Sequence, residues 1–238
     1  AFNKLNCISH LKEYGVPVPM SFHIDNGTDL MNTIKTLTLK GHNKFWLRAI
    51  EGAGSRASLP VTNYADAVMW ITYWDTMKDV KWGQFMISEF LPGKEYAFQS
   101  IWKDGELITS QARERLEYLF GSRMPSGQSS SPTVARTVSN DKVNEVAVSG
   151  IKALDDKPNG IYCVDLKENS QGIPCITEIN AGRFFTTSIF FSIAGVNMPY
   201  LYIKSAFNEP LPLVQKMNPL PEGLYWIRQI DCGDKLVK

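Results

Sequence analysis

The sequence predicts an α+β protein, with helices and strands mixed in its first half and an antiparallel meander packed by helices in its second. Three observations carry this. Apolar residues recur at helical spacing in the first eighty residues, separated by short runs rich in β-branched and aromatic residues. Lys103-Asp104-Gly105 divides "EYAFQSIW" from "ELITSQARER", and Asp-Gly suits the two positive-φ positions of a tight hairpin turn. The polar turn "KENSQG" joins "GIYCVDL" to "IPCITEIN" as a second hairpin. The chain has no internal repeat.

The elements follow in order. A helix runs from about Lys4 to Tyr14, where Leu5, Ile8 and Leu11 share a face; Gly15 stops it, and Pro17 and Pro19 force an extended exit. "MSFHI" reads as a strand and "TDLMNTIKTL" as a helix capped by Thr28. "KFWLRAI" is a strand running into the loop "EGAGSRAS", "NYADAVMWITYWDTM" a helix, and "QFMISEFL" a strand closed by Pro92-Gly93. After the first hairpin, "GSRMPSGQSSSPT" is a low-complexity loop. "DKVNEVAVSGIKALD" is a helix, and "TTSIFFSIAGV" and "MPYLYIKSAF" are helices over the sheet. The Pro-rich "NEPLPLVQKMNPLPEG" is a connector before a final strand, "LYWIRQID". Both Gly/Ser loops, 51–58 and 126–133, are expected to move when no ligand is bound.

The 238 residues suffice for one large domain or two small ones sharing a cleft. At 44% hydrophobic and 21% charged, with a formal net charge of +1, the chain offers no basic surface for nucleic acid or membrane lipid. "SIFFSIAGV" is too short to cross a bilayer, and no signal peptide opens the chain. Cys7, Cys163, Cys175 and Cys232 are scattered, with no CxxC pair and no His set at ligand spacing, so they read as buried thiols in a reducing compartment rather than a zinc site. The expected location is cytoplasmic.

Three segments carry chemistry. Asp165 in "YCVDL" and Glu178 in "ITEIN" fall opposite each other, or one same-face step apart, across the second hairpin. Strand alternation points Glu178 and Asn180 to one face, places Ile176 on that face and Ile179 on the other. Two carboxylates that close repel unless a cation or proton lies between them, and with Asn180 they form an all-oxygen set suited to Mg²⁺ or Mn²⁺. On the strand alone, a solvated acidic face is the commoner explanation. The second segment, "WLRAIEGAGSRAS", delivers Arg48 from a strand into a loop holding Gly52, Gly54 and Ser55, where backbone N–H groups could close around an anion. Its spacing is neither a P-loop nor a dinucleotide fingerprint. The third, "SEFLPGKEYAF", places Glu89 and Leu91 at a strand end and Glu95 past a Pro-Gly turn. In "QARER", Arg113 and Arg115 share a strand face and suit either a substrate carboxylate or phosphate, or an exposed pair offset by Glu114 and Glu117. His10, His23 and His42 read as structural or exposed, and the tryptophans as packing.

The order of these segments resembles the ATP-grasp superfamily, in particular its carbamoyl-phosphate-synthase-type and carboxylate–amine ligase branch, over roughly residues 3 to 207. The resemblance implies two α+β lobes, residues 1–90 and 91–238, with ATP between their sheets. Lys4 matches the basic residue before the family's first helix, and Arg48 its phosphate-binding Lys or Arg. "EGAGSRA" matches the loop over the phosphates. Glu89 and Leu91 match the hinge that holds adenine, and Glu95 the carboxylate on the ribose. Asp165, Glu178 and Asn180 match the metal ligands, and Arg183 the arginine near the transferred phosphoryl group, with Arg113 and Arg115 as further catalytic candidates. "NAGR" is one residue longer than the usual N-P-R, and Arg56 stands where the family often has glycine. Relatives carry a Rossmann-like domain ahead of this fold, so the chain reads as an excised fragment or a short member. The implied activity is an ADP-forming ligase using ATP and Mg²⁺ (or Mn²⁺), with small carboxylate and amine substrates, compatible with a homodimer. A nucleotide-binding module without turnover is the alternative.

Overall fold

The computed structural model describes residues 3–52, 55, 57–129, 131–229 and 233–238, and leaves the side chains of residues 229, 233 and 234 aside. Helix α1 (Lys4–Glu13) starts where the Asn3 side chain accepts the Asn6 N–H and stops at Gly15, whose φ of 72° only glycine adopts freely. Strand β1 (Ser21–Ile24) precedes α2 (Gly27–Leu39), then come β2 (Phe45–Ala49), β3 (Leu59–Val61), α3 (Tyr64–Lys78) and β4 (Phe85–Glu89). The cap of α2 is Asn26, not Thr28: the Asn26 carboxamide accepts from both Thr28 and Asp29 N–H, and it sits one residue outside the first helical turn. These four strands form an antiparallel sheet in the order β1-β4-β2-β3. Alternation on β2 sends Phe45 and Leu47 into a core with Leu30 and Leu37 of α2 and Ile71 of α3. Trp46 and Arg48 face the other way.

The second sheet is larger. Strands β5 (Glu95–Lys103), β6 (Glu106–Tyr118), β7 (Pro132–Val138), β8 (Gly160–Glu168), β9 (Pro174–Ala181), β10 (Tyr225–Gln229) and β11 (Gly233–Val237) form it in the order β11-β10-β7-β6-β5-β8-β9, with every named pairing antiparallel. The β5–β6 turn has φ of 50° at Asp104 and 91° at Gly105, as the Asp-Gly signal required. Helix α4 (Asp141–Leu154) and α1 cover one face through Leu11, Val143, Ala147 and Ile151 against Phe98, Val164, Ile176 and Ile179. Full burial of each such aliphatic chain contributes about 1.5–3 kcal/mol. Helices α5 (Ser188–Ile193) and α6 (Met198–Ala206) cover part of the opposite face through Phe190, Phe191, Met198 and Leu201 against Ile101 and Trp226. The rest of that face looks across a cleft to Trp46 and Arg48.

Strand β9 departs from simple alternation. Asp165 pairs with Glu178 but Leu166 pairs with Ile176, leaving Thr177 as an extra residue. This bulge resets the parity, so Ile176 and Ile179 both enter the α4 core although three residues apart. The expectation that Ile176 shares a face with Glu178 is therefore corrected. Thr177, Glu178 and Asn180 all line the cleft. Strands β3, β7 and β11 are further elements that the sequence pattern did not mark. No helix among the described residues is long and apolar enough to cross a membrane.

Candidate functional site

A cleft of about 270 Å³ separates the two sheets. Lys4, Arg48, Gly52, Ser55, Glu89, Leu91, Glu95, Arg115, Asp165, Glu178, Asn180 and Arg183 all line it. Gly54 and Arg56 lie outside the described residues, as does Cys232. The structure thus brings together residues spread over 180 positions of sequence.

The wall on the four-stranded sheet is cationic. Lys4 Nζ donates to Gly52 O at 2.6 Å, and Arg48 Nη2 donates across the cleft to Thr177 O at 3.0 Å. Arg48 Nε is buried and meets no acceptor. Burial lowers the pKa of both groups, and the nearby Glu178 carboxylate works against that in each case. Ser55 holds a φ of 56°, rare for a non-glycine residue, and Gly52 one of 104°.

The wall on the seven-stranded sheet carries the carboxylates. Asp165 and Glu178 are directly opposed on β8 and β9, the closer of the two placements the sequence allowed. Asp165 is held by Arg115 Nη2 and lies 3.5 Å from Asn180 Nδ2. Arg183, which is exposed, donates from Nη2 to Asn180 Oδ1 at 2.8 Å. Glu178 has no direct hydrogen-bond or ion-pair partner among the described residues. Besides the opposed Asp165, the charged groups that act on it among the described residues include Lys4 and Arg48 across the cleft. Two opposed carboxylates with an amide oxygen nearby suit a hard divalent cation that completes its shell with water or phosphate oxygens. Among the described residues there is no group of three His, Cys, Asp or Glu that could hold a metal by itself.

Glu95 is the most engaged acid. It accepts from Arg115 Nη1 at 3.2 Å, Gln128 Nε2 at 2.8 Å and the Tyr118 hydroxyl, with Lys167 Nζ at 3.4 Å. Glu89 instead accepts the Met20 N–H at 2.8 Å and lies 3.6 Å from His42 Nε2, while its own N–H donates to Met20 O. Leu91 is buried beside it at the cleft edge.

The exposed-pair reading of Arg113 and Arg115 does not hold. Arg113 is 1% exposed and Arg115 is largely buried. The cause is local: Glu114 points to the opposite face, where Arg136 takes it at 2.6 Å, leaving Arg115 for Glu95 and Asp165. Arg113 does not line the cleft and lies behind Phe185. Sequence reasoning missed Lys167, Thr177, Tyr118, Gln128 and Phe185. Lys167 was accessible to it, two residues past Asp165 on the same strand face; the others depend on the bulge or on chain crossings.

A sequence profile described as an ATP-grasp domain matches residues 1–187. No curated protein matches the chain by sequence. Among solved structures, it is similar to carboxyaminoimidazole ribonucleotide synthase from Aspergillus clavatus complexed with ATP, at 15% identity and TM-score 0.70 over 95% of this chain and 56% of that one. It is similar to biotin carboxylase from Campylobacter jejuni at 15% identity and TM-score 0.72, over 95% of this chain and 50% of that one. With the D-alanine-D-alanine ligase from Coxiella burnetii the values are 16% and 0.65, over 87% and 57%. The chain spans about half the length of these proteins.

Proposed function

The chain belongs to the ATP-grasp family, and from that premise we propose that it is the nucleotide-binding part of an ADP-forming ligase that uses Mg·ATP. The finer reading is a carboxylate–amine ligase of the carbamoyl-phosphate-synthase-like kind. A carboxylate or bicarbonate oxygen attacks the γ-phosphorus, ADP leaves, and an amine then displaces phosphate from the acyl phosphate. Residues 1–90 and 91–238 form the two lobes. The observation that carries the reading is the direct opposition of Asp165 and Glu178 across from the buried cations Lys4 and Arg48.

Each wall has a part. Lys4, Arg48 and the backbone of Gly52 and Ser55 hold phosphate oxygens, with the unpartnered Arg48 Nε available for one of them. Glu89 and Leu91 hold the base through backbone groups, and Glu95 the ribose hydroxyls. Asp165, Glu178 and Asn180 would hold Mg²⁺, which would neutralise phosphate charge. Arg115 orients the Glu95 and Asp165 carboxylates, and Arg183 would steady the transferred group. Phosphoryl transfer needs positioning and charge neutralisation more than an activated nucleophile, which fits a cleft whose described lining residues include no His or Cys.

Calorimetry with Mg·ATP on the wild type and Glu178→Ala tests the binding half, and ADP release over a carboxylate–amine panel tests the chemistry. Equal affinity in both proteins rejects the metal assignment. Tight binding with no ADP release on any pair assigns a nucleotide-binding module instead.

A further inference from the structure

The chemistry above leaves a buried charge unused. Arg113 lies on the cleft-facing side of β6, two residues before Arg115, and is 1% exposed. Its guanidinium carbon sits 4.4 Å from the Phe185 ring centre, 5.1 Å from Trp226 and 5.6 Å from Phe191. Aromatic faces attract the charge but leave its N–H groups unpaired. Arg113 Nε and Nη1 are buried and meet no acceptor. Trp226 Nε1, beside it, is buried and unpaired as well, and so is Thr187 Oγ1, two residues past Phe185. Native interiors leave few polar groups unmatched, and an unpaired buried charge is the costliest kind. All three residues can donate, and these four atoms have no hydrogen-bond partner among the described residues. Burial, then the neighbouring Arg115, lower the pKa of Arg113, but a guanidinium stays charged at neutral pH. An anion would pair with these donors and offset the charge.

Its position narrows the choice. One cross-strand row runs Thr137, Arg113, Ala97, Asp165, Glu178. Ala97 puts only a methyl group between Arg113 and the carboxylate pair, and two strand spacings separate Arg113 from Asp165 by about 10 Å of backbone. The Phe185 ring is the partition. It lines the cleft, covers Arg113, and lies 5.4 Å from the Arg115 guanidinium. Phe185 follows Gly182, whose φ of 78° marks the turn out of β9. A planar guanidinium fork matches a planar carboxylate.

We propose that Arg113 and Trp226 form a closed carboxylate site that opens when the Phe185 ring swings aside, and that it holds the non-reacting carboxylate of a dicarboxylic acid substrate. A substrate of that class reaches from the metal pair to Arg113, so one end is activated while the other is anchored. That the bound acid is the substrate rests on the ligase reading; the anion site rests on the unpaired donors.

The test is calorimetry of the full chain with glutarate, against sodium chloride at equal ionic strength. Glutarate is expected to bind the wild type at least about tenfold more tightly than acetate, and Phe185→Ala more tightly still. Arg113→Met should lose the binding; Arg113→Lys, which keeps the charge but not the fork, should weaken it about tenfold. Equal glutarate affinity in wild type and Arg113→Met overturns the proposal, and so does absence of binding in Phe185→Ala, where no ring blocks the site. Acetate binding as tightly as glutarate overturns the dicarboxylate assignment. Mg·ATP titrated into the wild type separates the two readings: without ATP binding but with Arg113-dependent glutarate binding, the ligase reading falls and the anion site stands.

Discussion

The two walls of the cleft solve their charge problem differently. On the four-stranded sheet, Lys4 and Arg48 are buried, and among the described residues their direct hydrogen-bond partners are backbone carbonyls. On the seven-stranded sheet, Arg115 and Lys167 are supplied locally to Glu95 and Asp165, while Glu178 has no ion-pair partner among the described residues. One wall presents two buried cations that no carboxylate contacts directly among the described residues, and the other presents a carboxylate pair that needs more positive charge. On the proposed reading, a metal-bound polyphosphate would answer both at once, Lys4 and Arg48 taking its oxygens and Asp165 and Glu178 its cation. Neither wall alone implies that ligand; the pairing of the two does.

The asymmetry can be broken most severely at Glu178. Glu178→Ala should lower Mg·ATP affinity about 100-fold or more, near 3 kcal/mol, with the protein still folded because the side chain fills no apolar core. Titration calorimetry beside a thermal melt reads both quantities, and an unchanged affinity would falsify the metal assignment. Next comes Arg183, the exposed cation on the carboxylate wall. With the substrate pair giving the strongest ADP release, Arg183→Met should cost on the order of 2–4 kcal/mol in kcat with little change in the KM for ATP. Wild-type kcat in that variant would make the arginine structural and leave Arg115 as the better candidate.

A smaller effect probes how the carboxylate strand is seated. A methyl group on Gly150 of α4 would meet Ile176 Cδ1 at 2.3 Å and Ile179 Cδ1 at 3.4 Å. Gly150→Ala gains about 1 kcal/mol of helix propensity but overpacks the core by about 1–3 kcal/mol. Urea titration should find it about 1 kcal/mol less stable; a more stable variant would mean that β9 yields freely. The smallest effect is alkaline. Lys4 has a folded pKa below its unfolded value because burial opposes its charge. The destabilisation is full below the folded pKa and is relieved as pH rises toward the unfolded value of 10.5, so this residue makes stability rise with pH in that window. Lys4→Met should remove that rise from the difference between the two proteins' pH–stability curves. A difference curve flat across the window counts against a buried, charged Lys4.

Much of this was legible in the sequence, for identifiable reasons. The order of a basic strand before a Gly loop, an E-x-L-P-G-x-E segment and a D…E-I-N hairpin carries both fold and site, because each depends on local spacing. The Thr177 bulge was not legible: it adds a residue without a Gly or Pro signal, and the parity of Ile176 follows from the core it meets on α4. Strand β7 hides behind the Ser-rich run and opens at Pro132, and β11 is a charged edge strand. Asn26 and Thr28 both suit a cap, and only the geometry selects the first. Arg113 and Arg115 look alike in sequence and end in different places, one under an aromatic lid and one in the cleft.

The central claim is that both walls close on a single ligand. Amide hydrogen exchange of the full chain, with and without Mg·ATP, tests it most directly. The account predicts new protection on both sides together: at Phe90–Leu91 and around Ser58 near the four-stranded sheet, and at Thr177–Arg183 on the seven-stranded sheet. Protection confined to one wall, or unchanged by Mg·ATP on both, would contradict it.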